Sequence, residues 1–151
     1  MRSMSKIVVG VALVVMVAGV AVAQFATPED AIQYRKSIMS QIAQHFKPMA
    51  AVMQGKADFD RQIFAEDAEA VKTLATQPWQ AFLEPGTDKG DTTMSSAVFK
   101  KKEAFLNLSE TFQNDTALLA EAAQGADLDG LKSPFDAVAK DCKACHKAFR
   151  K

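Results

Sequence analysis

Apolar residues recur along this chain at intervals of three and four, the period of a helix buried along one side. In the first such stretch, Ile32, Met39, Ile42, Phe46, Met49 and Met53 fall on one stripe. Thr27-Pro28-Glu29-Asp30 opens it. Threonine caps a helix, proline suits its first position, and an acid three residues after the cap completes a capping box. Pro48 falls inside the stretch and is expected to kink it, and Gly55 supplies a stop. A second helix is expected from Asp58 or Asp60 to just before Pro78, with Ile63, Phe64, Val71, Leu74 and Ala75 on its buried side. Residues 78–95 read as a loop, punctuated by Pro85-Gly86 and Gly90. A third helix is expected from Ser95 or Ser96 to Gly125, with Val98, Phe105, Leu108, Phe112 and Leu119 inward. The fourth carries Leu128, Leu131, Phe135, Val138, Cys142, Cys145 and Phe149. Asp127 could cap it, with Pro134 inside, or Ser133-Pro134 could open it afresh; the period of Leu128 and Leu131 favours the earlier start.

Composition agrees with an all-α chain. After residue 23 there are 22 alanines but only four valines and four isoleucines. Four helices of about 20–27 residues with short connections bury their stripes best as an antiparallel, up-down-up-down four-helix bundle. Residues 1–23 differ from the rest. Arg2 and Lys6 precede an apolar run from Ile7 to Val20, and Ala21-Val22-Ala23 offers a small-residue cleavage site. This is the pattern of a cleaved signal peptide, and the run is short for a membrane span. The expected mature chain, residues 24–151, is exported to the periplasm and keeps no membrane span. The whole chain holds 18 basic and 18 acidic residues, which argues against a nucleic-acid partner. Two cysteines exclude a disulfide-rich scaffold.

Those two cysteines lie in Cys142-Lys143-Ala144-Cys145-His146, a CxxCH sequence. This is the spacing of c-type haem attachment. Two thiols reach the two vinyl groups of one porphyrin, and the histidine reaches the iron from one side. Positions i, i+3 and i+4 share a helix face, so one face could hold all three groups. A redox dithiol usually follows a strand, and this chain has little strand character. A structural zinc site wants four ligands, and His45 is the only other histidine.

A CxxCH near the C-terminus of a four-helix chain resembles the class II c-type cytochromes, and within them the cytochrome c′ family. Gln24 to Ala31 with Tyr34-Arg35, Thr73 to Trp79 with Phe82, and Cys142 to Arg150 are similar to the opening, middle and ending of that family. The resemblance implies a bundle enclosing one covalently bound haem c. Cys142 and Cys145 would form its thioethers and His146 would be the only protein ligand of a pentacoordinate iron. It implies selective binding of nitric oxide and carbon monoxide, with electron transfer or nitric oxide protection as the role, and a homodimer packed through the first two helices. A periplasmic redox partner is implied but not identified. Arg35 matches a residue that pairs with a haem propionate, and Lys36, Asp91 and Thr92 match positions at the haem edge. Trp79 and Phe82 match walls of the distal pocket. Arg150 matches a residue beside the proximal histidine, though it is equally a favourable charge at a helix C-terminus.

Met39 leaves two haem chemistries open. In the cytochrome c′ pattern this residue shields an open site. In low-spin relatives of the cytochrome c-556 type, a methionine on the first helix is the sixth ligand, which gives an electron carrier closed to gases. The cytochrome c′-like framing sequences favour the open site. No enzymatic role is expected. A peroxidase needs distal polar groups, whereas Met39, Ile42 and Phe46 are what the first helix offers. The lysine run at 100–102 reads first as a solvated helix face, and otherwise as a docking patch for an acidic redox partner.

Overall fold

The computed structural model describes residues 24–151. The signal peptide expected over residues 1–23 lies outside the described residues. Among the described residues six helices occur in the order α1 (Pro28–Met53), α2 (Arg61–Ala75), α3 (Trp79–Leu83), α4 (Ala97–Lys100), α5 (Lys102–Ala123) and α6 (Leu128–Phe149). The four long ones form the bundle. Neighbours in sequence pack side by side: α1 on α2, α2 on α5, α5 on α6. Arg61 donates to the Ala126 carbonyl and so ties the α1–α2 turn to the α5–α6 turn at one end. At the other end the connection between α2 and α5 crosses over, carrying α3 and α4. No described helix is long and apolar enough to cross a membrane.

Capping follows the sequence closely. The Thr27 hydroxyl accepts from the Asp30 N–H, and the Asp30 carboxylate accepts from the Thr27 N–H, closing the capping box on α1. Asp60 accepts from the N–H groups of Gln62 and Ile63 at the start of α2. Asp127 accepts from the Gly130 N–H, so α6 takes the earlier start, with Pro134 inside. Gly55, at φ +68°, takes the left-handed turn after α1 that a side chain would resist. Helix α1 continues through Pro48, and both Pro48 and Gln44 are exposed. The carbonyl that proline deprives of a donor therefore faces water, which lowers the cost of keeping it there.

Four expectations are corrected. Helix α2 has only 15 residues, shorter than the sequence pattern suggested. The loop at 78–95 contains α3, a single turn whose Trp79 indole donates to the Ala75 carbonyl at 2.6 Å. The third helix is split at Lys101, which leaves the helical region at φ −126°, ψ 45°. Among the buried positions, Ile63 is 57% exposed, because Phe64 rather than its neighbour takes the inward direction in the first turn of α2. Ile38 and Arg35 are buried where only Ile32 and Ile42 were expected nearby.

The core holds Ile42, Met49, Phe64, Val71, Val98, Leu119, Leu131 and Val138. One aromatic group ties the crossover to the bundle. Phe105 lies 5.9 Å from Trp79, 5.4 Å from Phe82 and 5.3 Å from Phe149, measured between ring centroids. One ring on α5 thus supports α3 and the last turn of α6 together. Phe105→Ala should cost about 3–5 kcal/mol. Leu118→Ala, at a position 57% exposed, should change stability by less than about 0.5 kcal/mol. Denaturant unfolding of the holoprotein measures both.

Candidate functional site

The CxxCH residues occupy the last third of α6. Its inward row is Leu131, Phe135, Val138 and Phe149, all buried. Cys142 and Cys145 flank that row as half-buried free thiols, and His146 is exposed beside them. The side of the bundle between α1 and α6 is the most lightly packed of the four. Phe46 and Phe135 stack across it, with centroids 4.7 Å apart and planes 7° apart. This pair sets the register of two antiparallel helices. Seven residues back from Phe46 along α1 is Met39, and seven onward from Phe135 along α6 is Cys142. Met39, half-buried, therefore stands level with Cys142 across the lightly packed side.

Electrostatics distinguish the possible chemistries of the thiols. Burial first, then the charge of Asp141, then Cys145, push the Cys142 thiol up to about 11. Burial and Asp141 raise Cys145 in the same direction. A redox dithiol needs the opposite shift, because the thiolate is the nucleophile. Partial burial and then the Arg150 charge push the His146 imidazole below its ordinary pKa. That favours the neutral ring, the form that ligates a metal. Among the described residues no three His, Cys, Asp or Glu side chains converge on a bare ion. Two protonated thiols and a neutral imidazole beside a loosely closed apolar side suit covalent attachment of a flat group with its own metal.

Arg35 is 2% exposed and fully engaged along one edge. Its guanidinium donates to the Ala81 carbonyl at 3.0 Å, the Thr87 carbonyl at 2.6 Å and the Thr92 hydroxyl at 2.8 Å. It also lies 4.8 Å from the centroid of the Phe82 ring. Burial lowers its pKa to about 10, well above neutrality, so it stays charged. Three of its five N–H donors are used, so two remain for an anion. Lys36 donates to Asp91 Oδ2 at 2.6 Å on the surface beside it. The four residues Arg35, Lys36, Asp91 and Thr92, far apart in sequence, thus meet in one cluster.

The other expected residues are distributed around this cluster. Phe82 belongs to it directly, through Arg35. Trp79 is buried among Phe82, Phe105 and Phe112. Arg150 ends α6 and donates from Nε to the Thr93 hydroxyl at 3.3 Å. Thr87 had no sequence signal. It is fully buried, and its hydroxyl donates to the Glu84 carbonyl at 2.8 Å while its own carbonyl serves Arg35.

Asp141 was also missed, since a carboxylate beside a cysteine carries no pattern. It is buried on α6, and its Oδ2 has no hydrogen-bond partner. Burial, then the Asp115 carboxyl on α5, push it up to about 6, and Lys140 pulls weakly the other way.

The family model described as cytochrome C′ matches residues 30–150 of this chain. Cytochrome c′ of Alcaligenes xylosoxydans xylosoxydans is 41% identical over 132 residues, covering 85% of this chain and 98% of that protein. The solved cytochrome c prime of Shewanella frigidimarina superimposes with a TM-score of 0.82 at 36% identity, covering 84% of this chain and 98% of that one. A nitric oxide complex of a cytochrome c prime variant from Alcaligenes xylosoxidans superimposes with a TM-score of 0.77 at 38% identity, covering 85% and 99%.

The raised Asp141 pKa predicts a pH signature. The folded chain keeps a proton that the unfolded chain releases, between the ordinary 3.8 and about 6. This contribution to stability therefore falls as pH rises through that window and stays low above it. Asp141→Asn should raise stability at pH 7.5 by about 1–2 kcal/mol and have little effect near pH 4. Thermal melts of the holoprotein at the two pH values check this.

Proposed function

The chain belongs to the cytochrome c′ family, with one haem c attached through its CxxCH motif, and from that premise we propose that it is an exported, gas-binding haem protein whose iron keeps one open coordination position. Cys142 and Cys145 hold the ring by thioethers, and His146 is the only protein ligand. The observation that carries this reading is the register across the lightly packed side, with the attachment residues on α6 level with Met39 on α1. When bound, the haem would supply an iron able to take a diatomic ligand, with His146 as the residue that holds it.

The residues of the chain then divide the work. Met39 covers the open face with an unbranched thioether chain that several rotamers can move aside. Ile42 and Phe46 continue that face along α1 and keep it apolar. Arg35 points its donors at Ala81, Thr87 and Thr92 instead. Polarised bound oxygen therefore finds no donor from Met39, Ile42 or Phe46, whereas nitric oxide and carbon monoxide need none. The two spare N–H groups of Arg35 suit a propionate carboxylate, and Lys36, Asp91 and Thr92 border the same edge. Trp79 and Phe82 back the pocket. Arg150, tied to Thr93, fixes the turn that carries His146, and its charge adds to burial in lowering the His146 pKa. Nitric oxide protection and electron transfer are both within reach of such a site. The exported chain works in the periplasm as a homodimer packed through α1 and α2.

A second reading follows from the same register. Met39 stands close enough to Cys142 in level that a small shift of α1 would bring its sulfur to the iron, making a low-spin electron carrier. Spectra separate the two. The open site gives a high-spin ferric signal and a ferrous form that takes up carbon monoxide. Ligation gives a low-spin spectrum with a methionine-to-iron charge-transfer band, and overturns the proposal. With the site open, Met39→Ala should speed carbon monoxide binding by about tenfold or more. Stopped-flow mixing checks it, and gel filtration at micromolar concentration checks the dimer.

A further inference from the structure

We propose that the corner where α4 and the start of α5 meet the end of α6 is a docking face for an acidic redox protein, which exchanges one electron with the haem. The inference rests on the haem reading above and adds the surface and the chemistry of its partner.

Two cationic segments distant in sequence are joined at this corner. Lys100, Lys101 and Lys102 lie at the α4–α5 junction. On α6, Lys140, Lys143 and Lys147 follow at steps of three and four, so they form one stripe, and Arg150 and Lys151 extend it past the helix end. Backbone hydrogen bonds bring the segments together. The Ser95 N–H donates to the Phe149 carbonyl at 2.9 Å, and the Lys151 N–H donates to the Thr93 carbonyl at 2.9 Å. Beneath them the rings of Phe105 and Phe149 are in contact.

Three features separate this face from an ordinary solvated surface. First, its cations are unpaired. The ion pairs among the described residues are Lys36–Asp91, His45–Asp67, Lys72–Glu69 and Lys132–Asp129, and none uses these eight side chains. Second, the charge is segregated. The chain as a whole has equal numbers of acids and bases. The turns at the far end of the bundle carry Asp58, Asp60, Asp127 and Asp129. The molecule therefore presents its positive end at the helix that bears Cys142, Cys145 and His146. Third, Lys100 and Lys102 adjoin exposed apolar groups, Phe99 at 36% and Leu106 at 37%. A small apolar centre beside a cluster of positive charge fits brief, steered encounters with a partner of opposite charge.

The electron balance is simple. One electron leaves the reduced partner and converts ferric haem to ferrous. No bond forms or breaks, and no proton is required. Position decides for a redox protein over an anionic lipid surface, because the cations border the haem-bearing helix and not a hydrophobic helix face suited to insertion.

The test uses the holoprotein with reduced flavodoxin as the acidic probe and lumiflavin semiquinone as the uncharged one. Reduction by flavodoxin should slow about tenfold as ionic strength rises from about 10 to 300 mM. Lys100→Glu with Lys102→Glu should slow it about five- to tenfold at low salt, and the difference should vanish at high salt. Lys132→Glu, at the far end, should change nothing. Amide shifts induced by oxidised flavodoxin should map to residues 99–106 and 140–151. Lumiflavin should reduce every variant at one rate, which shows that the haem is intact. If lumiflavin fails to reduce the native protein, the haem reading itself is wrong. If lumiflavin succeeds but flavodoxin ignores both salt and charge reversal, the docking proposal is overturned. It is equally overturned if the variants lose only their binding to phosphatidylglycerol vesicles.

Discussion

The rest of the structure depends on one buried cation. Arg35 lies on the inner face of α1 with almost no exposure, and a charge in that position is tolerated only when its donors are satisfied. The acceptors come from a single stretch of chain, the carbonyls of Ala81 and Thr87 and the hydroxyl of Thr92. The crossover between α2 and α5 has little regular structure of its own, so these bonds determine where it lies. Thr92 then receives Arg35 on its hydroxyl and passes order onward, since the same oxygen accepts from the Met94 N–H. Met94 pairs with Arg150, and that pairing fixes the end of α6. The first helix thus positions the last one through a loop that neither would hold alone.

Much of this was legible in the sequence, and the reason is local. Caps and stripes depend on residues three or four apart, and Thr27, Asp60, Asp127 and the row from Leu131 to Phe149 all behave as their spacing says. The CxxCH motif is local in the same sense. What the sequence obscured depends on distance. Helix α3 is one turn held by Trp79 against Phe105 and Phe112, and no nearby period announces it. The interruption at Lys101 lies between two inward residues, Val98 and Phe105, that both fit one longer helix. Ile63 is as apolar as Phe64, and only the placement of α1 and α5 decides which of them turns inward. Asp141 is the plainest case. Its cost comes from burial and then from Asp115 on another helix, neither of which a reading of α6 by itself could supply.

The site combines groups that would oppose one another elsewhere. Raised thiol pKa values near an unpartnered buried carboxylate suppress thiolate chemistry, while partial burial and then the charge of Arg150 lower the His146 pKa. Cys142, Cys145 and His146 stand within five residues, yet α6 gives them different degrees of exposure and different charged neighbours. The helix thereby serves as scaffold and as electrostatic filter. The lightly packed side opposite it leaves room for a flat group without the cost of an empty cavity in a fully closed core.

The clasp between the end of α6 and the crossover also makes distant parts of the chain answer to one another. Ser95 is joined to Phe149, and Thr93 to Lys151, by hydrogen bonds spanning more than fifty residues of chain. The attachment residues Cys142, Cys145 and His146 lie only a few positions before this clasp, so a change in the crossover would be felt at the turn that presents them.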